Sequence, residues 1–462
     1  MMIIIVLSLL TYSGMIFFMR YRTPVAMIGA ATLLIYGSAS GAFPANLAFE
    51  EFPKEIFILI IVLGLFSKVF EDNKIFEYLE YLMIRCSKGK RITVIVALVV
   101  TMYGASLFMN NLSVVLMFTF ICLKIALKLN IPIAPLLVAG IISSNIGGAA
   151  LAWSDTPAVI LTLYTDFTLV DFITKMFLPC AFYIGLLSGY TVLWCNREKR
   201  TSIPQRNHLS MMTYKVARKP PHKISHETTT LQKPIEHQIV DRLDWKKIKL
   251  PVILFIFLIM GVCISPFLDI SIAYISLFFG ALLLITTSKV PENIINSLPV
   301  LDSLIFIMVL FFIGGVLEYS GITNKIVEYM FLFTGDNKFL MLLCIMFSTF
   351  IIATFLSAGP ATATLLPICN EISPIIGHNL VYAALALGVL VGSSMLPWSA
   401  TGGPIMLGEV NRFLKEYDIG HEDRMKVMEV FSIKKYLKFS LPFCLTMLVF
   451  SSIFLGIYLM IF

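Results

Sequence analysis

The sequence predicts an all-α integral membrane protein of about ten transmembrane helices plus two re-entrant hairpins, arranged as two inverted repeats. Three observations predict it. The first is composition: 58% of the 462 residues are hydrophobic and 14% are charged, with a mean hydropathy of +0.88. A soluble domain has roughly 45–50% apolar and ~25% charged residues. The second is the recurrence of apolar runs of 17 or more residues along nearly the whole chain, each long enough to cross a hydrocarbon layer about 30 Å thick at ~1.5 Å per helical residue. The third is a pair of internal echoes that come in the same order in both halves.

Taken in order, spans fall near 1–19, 24–43 and 54–70, followed by a polar amphipathic stretch. An apolar pair near 92–109 and 112–128 comes next, then spans near 132–152 and 172–194. The first run has no basic residues before it and no small-residue cleavage site, so it reads as a retained span rather than a signal peptide. The second half repeats the order: spans near 249–268, 270–287 and 301–317, a polar stretch, a pair near 338–356 and 358–372, and spans near 378–398 and 435–461. The domain reading is therefore a membrane repeat over 1–195, a polar, basic linker over 196–247, and a second membrane repeat over 248–462.

The echoes are residue matches. Asn73, Lys74, Ile75, Phe76, Glu77 and Tyr78 are answered by Asn324, Lys325, Ile326, Val327, Glu328 and Tyr329, 251 positions later. Trp153, Ser154, Asp155, Thr156 and Pro157 are answered by Trp398, Ser399, Ala400, Thr401, Gly402, Gly403 and Pro404, 245 positions after the first tryptophan. Two matches in one order at nearly one offset point to internal duplication. If each apolar pair re-enters the membrane as a hairpin, each half crosses five times, and the second half must be inverted. With both termini outside, all of the 35 Lys and Arg except Lys54, Lys175, Lys325 and Lys338 face the cytoplasm, as the positive-inside rule requires. The expected location is a multi-pass protein of the cell (inner) membrane, with the linker in the cytoplasm.

Lipid offers no partner for a free N–H or C=O, so a polar break at mid-depth marks backbone that lines a cavity. Four such breaks stand in the sequence: the hairpin tips at Asn110 to Ser113 and Ser357 to Pro360, and the interrupted spans at Trp153 to Pro157 and Trp398 to Pro404. At the first interruption Asp155 or Thr156 supplies an N-cap, and Pro157 suits the first turn, where its missing N–H costs nothing. Ser399 or Thr401 does the same at the second. Several half-helix N-termini then point partial positive charge at one region, which is an ion site in outline. Asp155 is the acid placed nearest the middle of a span. An intramembrane carboxylate points to function, because keeping it charged there costs several kcal/mol; its plain alternative is an N-cap and nothing more. Asn110, Asn111, Ser113 and Asn145 offer neutral oxygens for a hard cation such as Na⁺, or amide donors for an anion, with interhelical hydrogen bonding as the alternative for each. Ser357, Thr362, Ser399 and Thr401 complete the candidate set. Trp153, Trp398, Gly147, Gly148, Gly392, Ser393 and Ser394 read as packing positions.

Other classes fit poorly. The eight cysteines stand singly, mostly in apolar runs, and the six histidines fall in polar segments or segment ends without metal-ligand spacing, which predicts neither disulfides nor a metal centre. The basic clusters Arg197, Lys199, Arg200 and Lys434, Lys435, Lys438 read as juxtamembrane orientation signals beside lipid rather than nucleic-acid contacts. There is no phosphate-loop motif, nucleophile elbow or carboxylate pair. The expectation is a non-enzyme without a cofactor, with Na⁺ as a candidate coupling ion.

Ser144, Asn145, Ile146, Gly147, Gly148, Ala149, Ala150, followed by Trp153, Ser154, Asp155, Thr156 and Pro157, resembles the signature of the ion transporter superfamily. That superfamily contains arsenite permeases, D-type sodium/proton antiporters, the melanosomal P protein, citrate transporters and divalent-anion:sodium symporters. Asn110, Asn111, Leu112 and Ser113 resemble its hairpin-tip motif, where an Asn and a Ser or Thr help form ion and substrate sites. The architectural likeness covers nearly the whole chain; the motif likeness is good in the first half and partial in the second. Arsenite permeases and D-type antiporters usually follow the Asp with Pro, Pro, Asn, whereas Thr156, Pro157 and Ala158 stand here. The second tip, Ser357, Ala358, Gly359, has no Asn. The resemblance implies an elevator-like motion of the hairpins and broken helices against a scaffold, in a homodimer. Three functions remain open at this point: a Na⁺- or H⁺-coupled carrier of a small carboxylate-like anion, a Na⁺/H⁺ antiporter or arsenite-type permease, and a membrane receptor or scaffold that does not transport.

Overall fold

The computed structural model describes residues 2–18, 21–41, 44, 54–73, 90–108, 111–129, 131–197, 245–268, 270–287, 291–296, 301–377, 379–399, 402–403, 406, 410 and 433–461. Most of the linker, Asn110, Thr401 and the Lys74 to Tyr78 half of the first echo lie outside the described residues, as does the side chain of Ser113.

The protein is an all-α membrane protein, and every regular element described is helical. The first half holds α1 (Met2–Phe17), α2 (Arg22–Ser40), α3 (Lys54–Asp72), α4 (Arg91–Ser106), α5 (Asn111–Leu129), α6 (Ile133–Ala150) and α7 (Thr156–Tyr164). Its last helix, α8 (Leu169–Arg197), carries a π-helical stretch at Phe172–Phe177. The second half holds α9 (Trp245–Leu268), α10 (Ile272–Thr286), the short α11 (Pro291–Asn296), α12 (Leu301–Tyr319) and α13 (Ile322–Thr334). It continues with α14 (Lys338–Leu356), α15 (Ala358–Ile376), α16 (Leu380–Met395) and α17 (Ile433–Ile461). The expected span boundaries near 132–152, 338–356 and 435–461 agree with α6, α14 and α17 to within a few residues. The polar stretch holding Asn324 to Tyr329 folds as α13, with Ile322, Thr323 and Val327 turned inward.

Five described helices are long and apolar enough to cross a membrane: Thr23–Ser40, Ile133–Ala150, Leu169–Arg197, Lys338–Leu356 and Lys434–Ile461. Apolar composition alone does not decide what faces lipid. Helix α6 is 94% buried within the protein, and α16 is buried along almost its whole length. These two central helices pack on each other. Around them lie α4, α5, α7 and α8 from the first half and α14, α15 and α17 from the second. Two outer groups, α1 with α2 and α12, and α3 with α9 and α10, flank this body and meet it where α12 touches α15, α1 touches α14 and α3 touches α7.

Small residues set the closest approaches. A Cβ on Gly147 would stand 2.6 Å from the Tyr103 carbonyl oxygen, and a Cβ on Gly392 would stand 2.4 Å from that of Phe350. Both contacts bring a central helix flush against the first arm of a hairpin, α6 on α4 and α16 on α14. Each central helix ends by switching to extended backbone at the matching residue, Leu151 (φ −133°, ψ 155°) and Leu396 (φ −115°, ψ 151°).

Candidate functional site

The two interruptions are closed by one local device. After Leu151, the Ser154 hydroxyl donates to the carbonyls of Gly148 (2.8 Å) and Leu151 (2.7 Å). After Leu396, the Ser399 hydroxyl donates to those of Ser393 (3.1 Å) and Leu396 (2.8 Å). Orphan carbonyls at the end of each half-helix, which lipid would leave unpaired, are thereby satisfied. Ser399 belongs to this turn-closing role. Thr156 is the first residue of α7, and Pro157 sits in its opening turn.

Asp155 stands at the N-cap of α7 in extended conformation (φ −147°, ψ 167°), yet its side chain makes no capping bond. It accepts instead from the Asn111 amide, Nδ2 to Oδ2, at 2.7 Å. That redirects the reading: a capping carboxylate turns back on its own helix, whereas this one is turned toward the tip of the first hairpin. Asn111 opens α5, and its amide is used on every side. Its Nδ2 also lies 3.4 Å from the Asn145 Oδ1, and its Oδ1 accepts from the hydroxyls of Ser106 and Ser144. Ser106 donates to the Ser144 carbonyl at 2.8 Å as well. Asn145 then reaches the second half, its Nδ2 donating to the Ser393 carbonyl and the Ser394 hydroxyl, both at 3.1 Å. Space for this cluster comes from Gly148, where a Cβ would stand 2.7 Å from the Asn111 amide atoms.

Asp155, Asn145 and Ser393 face a small cavity of about 20 Å³, room for roughly one water-sized group. Pro157 and Ala158 of the α7 N-terminus line it, as does Ala358, the first residue of α15, so two helix N-termini converge there. The remaining wall is apolar and includes Leu161, Phe172 and Leu390. No Lys, Arg or His lines the cavity, and the ion pairs found among the described residues, Lys68–Asp72 and Lys175–Asp171, lie elsewhere. The buried Asp155 carboxylate therefore has amide and peptide dipoles around it and no basic partner among the described residues.

The structure thus brings together Asn111, Asn145 and Asp155, with Thr156 beside them at the start of α7. Ser357 lies at the second tip, where a single residue with φ 78° and ψ 172° joins α14 to α15. Such a φ is a strained choice for a residue with a Cβ. Thr362 is buried and donates to the Ala358 carbonyl one turn back (3.0 Å), a bond internal to α15. Ser106, Ser144, Ser393 and Ser394 enter the network without having been singled out as ligands. Ser144 stands in the signature-like stretch, Ser393 and Ser394 read as packing positions, and Ser106 shows only as a hydroxyl on an apolar helix. The indole N–H groups of Trp153 and Trp398 are buried with no hydrogen-bond partner among the described residues, more than a purely packing reading of these residues predicts.

Comparison with known proteins agrees with this architecture. The family model described as citrate transporter matches residues 3–392 and 255–461. The magnetosome protein MamN of Magnetospirillum gryphiswaldense is 21% identical over 431 residues, covering 93% of each chain. A 46 kDa membrane protein of Mycobacterium leprae is 23% identical over 393 residues, covering 84% of this chain and 85% of that one. Among solved structures, the YdaH transporter of Alcanivorax borkumensis superimposes with a TM-score of 0.50 at 13% identity, over 92% of this chain and 87% of that one; this likeness concerns the fold alone.

Proposed function

From the premise that this chain belongs to the citrate transporter family, we propose that it is a secondary active carrier in which Na⁺ or H⁺ bound at Asp155 is coupled to movement of a small carboxylate-like anion. The membrane-transporter class itself follows from the family and from transporter-named relatives. The observation that carries the finer reading is the buried Asp155 carboxylate, held by Asn111 at 2.7 Å and without a basic partner among the described residues. A charged carboxylate in a low-dielectric interior needs a counterion or a proton. With no fixed cation supplied among the described residues, a mobile one takes that role. The N-termini of α7 and α15 beside it supply partial positive charge for an anionic group.

A second reading is favoured by the size of the cavity. A space for one water-sized group fits a bare cation and not a carboxylate, as a Na⁺/H⁺ antiporter would require. Reconstitution separates the two. Proteoliposomes under imposed Na⁺ or H⁺ gradients should accumulate labelled citrate or a smaller carboxylate if the first reading holds. Cation-driven pH change without carboxylate uptake would replace it with the second, and absence of any flux would leave a non-transporting membrane protein.

We place the two halves, 1–195 and 248–462, in inverted orientation in the cell membrane, each hairpin re-entrant and the 196–247 linker cytoplasmic. The charge distribution and the matched turns at Ser154 and Ser399 support this arrangement. A cysteine introduced near His226 should resist an impermeant reagent on intact cells, and ready labelling would overturn the orientation.

A further inference from the structure

The contacts shared by the two halves define residue-by-residue equivalence, and that equivalence exposes a difference in chemistry. On the central helices the offset is 245: Ser154 bonds to Gly148 and Leu151 as Ser399 bonds to Ser393 and Leu396. On the first hairpin arms it is 247: Gly147 faces Tyr103 as Gly392 faces Phe350. The Ser143 hydroxyl meets the Val99 carbonyl where Gly388 meets that of Met346. The same offset pairs Asn111 with Ala358, each the first residue of its second hairpin arm.

Applied to the polar cluster, this register replaces every member by an apolar residue. Ser106 becomes Ala353, Asn111 becomes Ala358, Ser144 becomes Val389 and Asn145 becomes Leu390, and in the sequence Asp155 becomes Ala400, which lies outside the described residues. The structure shows the consequence directly: Ala353, Ala358, Ala361 and Val389 form a separate buried apolar cluster. It occupies the place in the second half that the Asn111 network occupies in the first. Among the described residues the backbone frame is present twice, and the amide and carboxylate lining once.

We infer that the protein binds one monovalent cation per chain, at the Asn111–Asn145–Asp155 cluster, and that the equivalent place in the second half closes as a dry apolar contact without an ion. The inference rests on the coupling role of Asp155 proposed above and adds the stoichiometry. Burying Na⁺ or a proton needs oxygen ligands or a carboxylate; the alanine and valine side chains of the second cluster offer neither. One cation per cycle also fixes the electrical character of the carrier: a monovalent anion would move without net charge, and a more highly charged one would carry net negative charge with its cation.

The test counts cations on the purified full-length protein. Saturation binding of radioactive Na⁺ across a range of pH should reach one equivalent per chain with a Hill coefficient near unity, each bound Na⁺ displacing one proton. If the proton is the physiological cation, Na⁺ fails to bind and a pH jump should release one proton per chain from the same site. Asp155→Asn should abolish either signal. Asp155→Glu, which keeps the carboxylate, guards against a folding defect by retaining binding at lowered affinity. Two equivalents per chain, a Hill coefficient near two, or undiminished binding in Asp155→Asn would each overturn the inference. Failure of the transport reading looks different: one cation bound and no flux sinks the carrier but not the stoichiometry, whereas coupled flux with two cations bound does the reverse.

Discussion

The two interrupted helices and the side chains set upon them differ in how far they match. At the level of backbone, the breaks after Leu151 and Leu396 are near copies, down to which carbonyls the Ser154 and Ser399 hydroxyls donate to. At the level of ligand chemistry they are opposites, a hydrogen-bonded polar cluster against an apolar one. The requirements behind the two levels are different. Closing a broken helix in the membrane interior has few solutions, because every freed carbonyl must find a donor. Binding an ion is needed only where the ion binds.

The largest expected effect is on the polar side. Asp155→Asn should bring coupled transport to background while folded yield, read by size-exclusion in detergent, stays near that of the native chain. The new amide oxygen still accepts from Asn111. Asp155→Ala should in addition lose about 1–3 kcal/mol of stability, because the Asn111 Nδ2 loses its shortest acceptor and one of its buried N–H groups is left without that partner. Transport by Asp155→Asn that remained cation-dependent would remove the proposed centre of the mechanism.

The next largest is the exchange between halves. Asn111→Ala strips partners from Ser106, Ser144 and Asp155 together and should cost roughly 1–3 kcal/mol for each group left unsatisfied and buried. Ala358→Asn puts a new amide among alanines and should also destabilise, by about 1–3 kcal/mol. Thermal unfolding of both variants checks this; stabilisation by Ala358→Asn would mean that the second cluster is not dry.

The glycine contacts should respond alike on the two sides. Gly147→Ala and Gly392→Ala each drive a Cβ into a carbonyl of the neighbouring hairpin arm, with an expected cost of about 1–3 kcal/mol. A large difference between them would break the structural equivalence on which the comparison stands. The smallest effects belong to the turn serines. Ser154→Ala and Ser399→Ala should each cost about 0.5–1.5 kcal/mol and match one another; the former, next to Asp155 in the chain, should weaken cation activation more than the latter, which reaches the cluster through the Ser393 carbonyl it shares with Asn145.

Much of this was legible before any coordinates. Trp153 to Pro157 and Trp398 to Pro404 announce themselves because prolines, glycines and small polar residues interrupt runs that are otherwise apolar. Asn111, Asn145 and Asp155 stand out because amides and acids are costly in such runs. The serines were harder. A hydroxyl on an apolar helix usually donates to the carbonyl one turn back, as Thr362 does to Ala358 and Ser188 to Ile184, and nothing in the sequence separates those from Ser106, which reaches another helix; Ser144 differs only in its place beside Asn145 in the signature-like stretch. The second tip was legible in place but not in conformation. Ser-Ala-Gly-Pro suggests the glycine as the positive-φ residue, yet Ser357 takes it, because Gly359 and Pro360 already lie in the first turn of α15, where the missing proline N–H is harmless.

The seam between the outer helices and the inner body has a mechanical consequence. Where α12 lies along α15, a Cβ on Gly314 would stand 3.7 Å from the Ala363 carbonyl oxygen and 3.9 Å from Pro367; Phe311 meets Tyr164 of α7, ring centroids 5.0 Å apart; and Tyr12 of α1 reaches Thr364 through a 3.3 Å hydrogen bond. Such a seam is smooth and largely non-directional. Displacing one side along the other would break the Tyr12–Thr364 hydrogen bond, a net cost of about 0.5–1.5 kcal/mol, and otherwise trade dispersion contacts, each worth only ~0.1–0.2 kcal/mol per atom pair. Against such small terms a modest bias sets direction: an ion whose affinity differs by about 1.4 kcal/mol between two positions shifts their populations tenfold.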